Sequence, residues 1–195
     1  MIQLIRQLIR AGMVIGLALL AGLVYMFWSY GRDLPDFAQL AQYKPPTVTR
    51  IYAGDGTLAR EFASQNRVFL PIHSMPASLT QAFIAVEDQR FAHHKGIDPI
   101  ALARAVIINI DNLVRGRRLI GASTITQQVA KNFLLTNEVS LSRKLREAVL
   151  ALRIERVFSK TRIMELYLNE IYLGRGTYGV AAAALAYFDK SLAEL

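Results

Sequence analysis

The stretch RKLREAVLALRIER, residues 143–156, decides the fold of this chain. Its apolar residues recur at helical spacing on two sides, with Leu145 and Leu152 on one side and Leu150 and Ile154 on the other. A helix that is apolar on both sides must be covered on both sides. We therefore expect this helix to lie at the centre of a mainly α domain.

Glu147 lies on the apolar side that includes Leu150 and Ile154. A carboxylate buried there needs an ion-pair partner or is retained for a function. Arg146 and Arg153 form a basic edge beside it. The sequence leaves two interpretations open. One is a buried structural ion pair with an arginine, and the other is a carboxylate held for chemistry.

Another helix begins in the stretch GASTITQQVAKN, residues 121–132. Ser123 or Thr124 can cap it, and Thr124, Gln128 and Lys131 then stand on one face at i, i+4 and i+7. A hydroxyl, an amide and an ammonium near a helix N-terminus can bind a sugar and a phosphate. The alternative is a solvated polar face, although such faces favour Glu–Lys pairs.

The stretch EDQRFAHHKG, residues 87–96, ends a further apolar helix that begins near Leu79. Glu87 stands at the edge of that helix, where desolvation would suit a carboxylate to proton transfer. His94 lies nearby, and Gly96 gives the chain a sharp exit. The alternative is an ordinary solvated helix end.

The rest of the chain fits the same mainly α class. Two β-prone runs flank Asp55-Gly56 and predict a small β-hairpin over Val48 to Phe62. The stretch KTRIMELYLNEIYLG, residues 160–174, mixes bulky side chains with polar tips, and we expect it to brace the site rather than perform chemistry. Helical patterns run from Leu79 and over residues 99–112, 124–134, 140–158, 162–172 and 180–188.

The N-terminus carries the uncharged stretch AGMVIGLALLAGLVYMFW, residues 11–28, close to the ~20 residues that a membrane-spanning helix needs. Arginines precede it and aromatic residues gather at its other end, which predicts an anchor over residues 11–30 with a cytoplasmic tail over 1–10. A cleaved signal peptide would have a shorter apolar core and an A-x-A-like site. Residues 31–46 read as a linker, and residues 47–195 as one domain.

Composition limits the choice of function. The formal net charge is +8, which favours an anionic partner such as a phosphorylated substrate, a lipid surface or nucleic acid. Nucleic acid is disfavoured because the basic residues are scattered over helices that also bear apolar stripes. The chain has no cysteine, which excludes disulfides and thiol catalysis.

Taken in order, EDQRFAHHKG, GASTITQQVAKN, RKLREAVLAL and KTRIMELYLNEIYLG resemble the successive motifs of the peptidoglycan glycosyltransferases (family 51). These enzymes form the polymerase domain of class A penicillin-binding proteins, and the resemblance runs from about Leu79 to Phe188. It implies a lysozyme-like, mainly α fold and an enzyme that polymerises lipid II. It also implies a location on the outer face of the cytoplasmic membrane.

The resemblance assigns roles residue by residue. Glu87 matches the general base that activates the acceptor sugar hydroxyl, so that a β-1,4 bond forms with inversion and undecaprenyl pyrophosphate leaves. Glu147 matches the second essential carboxylate. The family residues that contact the donor correspond in this chain to Ser123, Gln127, Gln128, Lys131 and Arg146. Thr124 lies on the same helix face as two of them. The family residues that shape the site around the base correspond in this chain to Asp88, Phe91 and His94.

The resemblance also implies partners. These are lipid II, the growing glycan chain, the membrane and, as a further option, other cell-wall synthesis proteins. A divalent ion, Mg²⁺ or Mn²⁺, could assist at the pyrophosphate, with no metal ligand assigned in the protein.

One position departs from the family pattern. Members commonly carry a basic residue eight positions before the second Glu, and this chain has Val139 there. We expect weaker donor phosphate contacts, unless Arg143 substitutes. The basic loop with Arg115, Arg117 and Arg118 is a candidate mobile part of the donor cleft.

Two other functions remain open from the sequence. A lysozyme-like lytic enzyme would share one essential Glu, and a non-catalytic assembly scaffold would need the anchor but neither carboxylate. The residues after Ser191 look like the first turn of a new helix, from which we expect a C-terminally truncated domain.

Overall fold

The computed structural model describes residues 2–32, 34, 40, 49–62, 66–134 and 140–195. The prediction of a mainly α domain with a small β-hairpin and an N-terminal apolar helix is confirmed. The helices are α1 (Ile2–Arg32), α2 (Ala77–Glu87), α3 (Pro99–Val114), α4 (Ile125–Leu134), α5 (Leu141–Val157), α6 (Lys160–Glu170) and α7 (Val180–Phe188). The strands are β1 (Thr49–Tyr52), β2 (Leu58–Phe62), β3 (Asn66–Arg67) and β4 (Thr177–Tyr178).

Helix α5 is central, as its two apolar sides predicted. Leu150 and Ile154 are fully buried on the side where α4 packs against it, and α6 packs in turn on α4. Its other apolar side, which includes Val149, faces α1. The helix begins where the Ser140 hydroxyl accepts a hydrogen bond from the backbone N–H of Arg143, a common N-cap arrangement.

The predicted hairpin is present. Strands β1 and β2 pair antiparallel, with an irregular register between Ile51 and Tyr52. Asp55 closes the turn, because its Oδ1 accepts hydrogen bonds from the backbone N–H and the hydroxyl of Thr57. The Asp-Gly turn signal was therefore sufficient to locate this hairpin.

A second strand pairing was not predicted. Strands β3 and β4 pair in parallel, although only two residues of each take part. The chain after β3 is held on α6, where the Asn169 amide exchanges two hydrogen bonds of 2.9 Å with the backbone of Leu70. Glu165 accepts a further one from the N–H of Ile72 at 2.8 Å. The stretch over residues 160–174 thus holds the segment that follows β3, and its predicted role in bracing the site stays a prediction.

Helix α1 includes the residues predicted to form an anchor. From Ile9 to Arg32 it is long and apolar enough to cross a membrane, with a mean hydropathy of 2.0. The helix starts before the predicted span, so the described part of the predicted tail is helical. Most of the predicted linker lies outside the described residues, but Leu40 is buried in the core and Leu34 packs against it.

Candidate active site

Glu87 is the last residue of α2, and Asp88 breaks the helix with φ −156° and ψ 73°. This turn leaves Glu87 exposed and Asp88 buried. The side-chain amide of Gln128, on α4, donates a hydrogen bond of 2.9 Å to Glu87 Oε2. The expected desolvation of Glu87 is therefore not observed, and its carboxylate is held by an amide at the mouth of a cleft.

The carboxylate of Asp88 joins three segments. Both of its oxygens contact Nε2 of His94, at 2.9 and 3.0 Å, and Oδ2 also accepts from the backbone N–H of Ile125. Because His94 Nδ1 accepts from the Gly96 N–H, Nε2 is the nitrogen that donates to Asp88. Asp88 thereby fixes the first residue of α4 next to the end of α2, which carries Glu87.

Gly96 brings this loop onto the central helix. It has a φ of +97°, and a Cβ atom there would lie 2.6 Å from the carbonyl oxygen of Ala151 on α5. Its own carbonyl accepts a 2.6 Å hydrogen bond from the Thr124 hydroxyl. Only glycine permits this approach, which holds the loop between α4 and α5.

The N-terminus of α4 is closed by a capping box. Thr124 Oγ1 accepts from the N–H of Gln127, and Gln127 Oε1 accepts from the N–H of Thr124. This is the reciprocal arrangement that a T-x-x-Q spacing favours. Both predicted substrate-binding residues are buried and make local hydrogen bonds. Gln127 still lines a pocket together with Gln128 and Lys131 of the same helix, and Thr124 lines another.

Phe91 is buried rather than presented to a ligand. Its ring meets that of His94 edge to face, with centroids 6.1 Å apart. The ammonium of Lys160 lies 4.3 Å from the ring centre and also donates to Glu155. Phe91 therefore supports His94 from the core side, and its role in shaping the site stays a prediction.

Glu147 is almost completely buried and carries two basic partners. One oxygen bonds the guanidinium of Arg143, and the other accepts from Lys144 Nζ at 2.8 Å. Lys144 also donates to the hydroxyl of Ser123 at 2.6 Å. The buried carboxylate is thus neutralised by two cations, one of which also bonds Ser123. The structural ion pair and a functional role for Glu147 therefore do not exclude each other.

Lys144 is the residue at this site that the sequence interpretation missed. Arg146 and Arg153 were expected beside Glu147, but the described contacts are made by Arg143 and Lys144. The signal was present, because residues three and four positions before Glu147 lie on its helical face. Burial, together with the charges of Arg143 and Lys131, lowers the pKa of Lys144.

Two pockets meet at Ser123. The first, called the Glu147 pocket, has about 580 Å³ of empty space, part of it open to solvent. It is lined by Ser123, Gln127, Gln128, Lys131, Arg143, Lys144 and Glu147. The second, called the Glu87 pocket, lies on the other side of Ser123 and is lined in part by Glu87, Asp88 and Thr124. Arg146 lines neither of them, and Val139 lies outside the described residues.

The Glu87 pocket has its own charged wall. Asp98 caps α3 by accepting from the N–H groups of Ile100 and Ala101, and it pairs with Arg90 at 3.1 Å. Burial acts to raise the pKa of Asp98, but these N–H groups and the nearby Arg90 and His94 outweigh it and lower that pKa. The lowered pKa favours the carboxylate form of Asp98, which lines the Glu87 pocket together with the exposed Arg104.

A comparison with known protein families identifies the class of protein. The family model described as Transglycosylase matches residues 55–195. The chain belongs to this family, the peptidoglycan glycosyltransferase class that its four motifs predicted.

The chain is similar to several proteins named penicillin-binding protein 1A. It is 58% identical to the one from Rickettsia felis over 171 residues, which cover 88% of this chain and 22% of the relative. It is 45% identical to the one from Aquifex aeolicus over 190 residues, or 97% of this chain and 26% of the relative. The chain thus spans about a quarter of the length of these curated relatives.

Proposed function

We propose that this chain polymerises lipid II into β-1,4-linked glycan strands, with Glu87 as the general base. One observation carries the proposal: Gln128 bonds Glu87 and also lines the Glu147 pocket. An exposed carboxylate thus lies at the border of a pocket with several cationic side chains. A base next to a phosphate-binding site is the arrangement that transfer from a sugar pyrophosphate requires.

In the proposed reaction, Glu87 accepts the proton of the acceptor sugar 4-hydroxyl. The hydroxyl oxygen attacks the anomeric carbon of the growing chain as the bond from that carbon to the pyrophosphate oxygen breaks. The pyrophosphate leaves with the bonding electron pair. Attack opposite the leaving group inverts the α-linked donor and gives a β-1,4 bond.

The Glu147 pocket is suited to the leaving pyrophosphate. Lys131, Arg143 and Lys144 line it, and cations there stabilise the negative charge that develops on the departing oxygen. Glu147 would position Arg143 and Lys144, since each of its oxygens is engaged by one of them. This gives Glu147 an electrostatic role, while proton transfer belongs to Glu87.

The described residues do not fit a divalent ion held by the protein. No three His, Asp or Glu side chains among them cluster as metal ligands, and both oxygens of Glu147 already have basic partners. A Mg²⁺ or Mn²⁺ ion, as the resemblance suggested, would need the substrate's own pyrophosphate oxygens as ligands. No step of the proposed reaction depends on it.

We also propose that α1 anchors the domain on the outer side of the cytoplasmic membrane. Arg6 and Arg10 precede the apolar span, which favours a cytoplasmic N-terminus. An anchor confines the enzyme to the plane of its lipid-linked substrate and raises their effective concentration. Exposed apolar residues of α3, such as Val106, Ile110 and Leu113, are also compatible with a lipid surface. Protein partners in cell-wall synthesis stay a prediction.

The test is polymerisation of purified lipid II by the protein in detergent or vesicles, with Glu87→Gln as the variant. This change keeps the side-chain volume and should abolish glycan formation while circular dichroism stays unchanged. Asp111→Asn is the matched control, because it also neutralises an exposed carboxylate but Asp111 lines neither pocket. Near-normal synthesis by Glu87→Gln would refute the assignment of the base.

The same preparation separates the alternatives. A lytic enzyme would release soluble fragments from purified peptidoglycan, and a scaffold would leave lipid II unchanged. Neither alternative accounts for the cations of the Glu147 pocket as directly as a pyrophosphate leaving group does.

A further inference from the structure

The end of the apolar helix α1 packs against α5, the helix that bears Glu147. Arg153 Nη2 donates a 2.8 Å hydrogen bond to the carbonyl oxygen of Gly31. That carbonyl lies in the last turn of α1, where backbone oxygens lack partners in the helix and the helix dipole is negative. A guanidinium is therefore well placed to close the end of α1.

Gly31 is matched to this contact. It is buried, and a Cβ atom there would lie 3.2 Å from Arg153 Nη2 and 3.8 Å from Cγ1 of Val149. Val149 and Arg153 are one helical turn apart and form one face of α5. The absence of a side chain at residue 31 allows α1 to approach that face closely.

The position of the Arg153–Gly31 contact along α5 and α1 indicates what it does for the domain. On α5, Val149 follows Glu147 by two residues and so projects from a different side of the helix. On α1, Trp28 and Arg32 stack at 4.0 Å and are exposed, as expected of side chains at a membrane interface. One rigid helix thus connects the membrane end of the chain to the Glu147 pocket.

We propose that Arg153 is a positioning residue that fixes the membrane anchor to α5 and so holds the catalytic cleft in one orientation to the bilayer. The inference rests on the proposed function, since it concerns access to a substrate whose lipid tail is embedded. A flexible junction would let the domain tilt, and small misplacements of a reacting group can lower rates by ~100-fold.

The first test compares two substrates. Arg153→Gln should lower polymerisation of lipid II in vesicles by about tenfold, with less than a twofold change for a short-tailed lipid II analogue in detergent. Arg156→Gln, an exposed arginine of the same helix, should change neither rate. An equal loss with both substrates would mean that Arg153 acts inside the site, and it would overturn the proposal.

The second test restores the junction by other means. The chain has no cysteine, so the pair Gly31→Cys and Val149→Cys can be introduced into the Arg153→Gln variant without competing thiols. A disulfide should form in vesicles and restore the rate, and reduction should remove the gain. Failure of the disulfide to form, or formation without recovery, would overturn the proposal.

These outcomes are separable from those of the proposed function. Disulfide formation is measured on gels and needs no activity. An unsubstituted protein that fails to polymerise lipid II would instead refute the glycosyltransferase assignment.

Discussion

The side-chain amide of Gln128 donates a hydrogen bond of 2.9 Å to the carboxylate of Glu87, which joins the start of α4 to the end of α2. The two residues are 41 positions apart in the chain. The contact links the proposed base to the Glu147 pocket, because Gln128 lines that pocket. The relative placement of α2 and α4 thus decides whether the two carboxylates can act on one substrate.

Gln128→Leu should lower the turnover of lipid II by about tenfold, because it removes a hydrogen bond of about 1–2 kcal/mol that orients the charged Glu87. The measurement is the initial rate of polymerisation under substrate saturation. Asn132→Leu is the matched control, since Asn132 is exposed one turn further along α4 and lies in neither pocket. Equal effects of the two substitutions would contradict a specific contact with Glu87.

Lys144 should set part of the alkaline limit of the reaction. Burial and the charges of Arg143 and Lys131 lower its pKa. The ammonium is present below that pKa and lost above it, so the rate should fall as pH rises and should fall earlier than for an ordinary lysine. Lys144→Arg should extend activity to higher pH, because a guanidinium stays protonated.

The prediction for Lys144 is tested by measuring the initial rate of polymerisation from neutral to alkaline pH. Lys144→Gln should lower the rate across the whole range, since it removes the charge from the Glu147 pocket. An unchanged alkaline limb in Lys144→Arg would show that another group titrates there.

Asp88→Asn should destabilise the domain by about 1–3 kcal/mol, because the buried carboxylate accepts from both His94 and Ile125. Chemical denaturation followed by circular dichroism measures the free energy of unfolding. Asp111→Asn is the control, since Asp111 pairs with Arg115 on the surface, and it should cost no more than about 0.5 kcal/mol. Equal losses in the free energy of unfolding for the two variants would contradict a structural role for Asp88.

Gly96→Ala should cost about 3 kcal/mol or more, because the new Cβ would meet the backbone of α5 at 2.6 Å. Gly116→Ala is a matched control. Gly116 also has a positive φ, but nothing lies within 4 Å of its Cβ position, so only the backbone cost of about 1 kcal/mol applies. The same denaturation experiment applies, and equal costs would show that the approach of residue 96 to α5 is not tight.

The fold class followed from local patterns, because helices and hairpins are specified by residues close together in the chain. The double apolar face of residues 143–156 predicted a central α5, and Asp55-Gly56 predicted the hairpin turn. The pairing of β3 with β4 had no such signal, since two residues on each side are too few for a periodic pattern.

The candidate site was predicted in part. The resemblance and the spacing singled out Glu87, Gln128, Lys131 and Glu147, which the structure places around two pockets that meet at Ser123. The basic edge expected beside Glu147 does not supply its ion pairs, because the cations three and four positions earlier share its helical face. Arg153, expected on that basic edge, binds the end of α1.

The sequence by itself determined which segments are helical, which helix could enter a membrane and which carboxylates the domain holds, because periodicity and composition act over short distances along the chain. Only the tertiary structure decided that Asp88 fixes α4, that Glu87 stays exposed beside Gln128, and that Lys144 connects Ser123 to Glu147. Apart from the Lys144–Glu147 pair, which lies within α5, those contacts depend on fitting distances of about 3 Å between residues far apart in sequence. That fit is set by how the helices pack as rigid bodies.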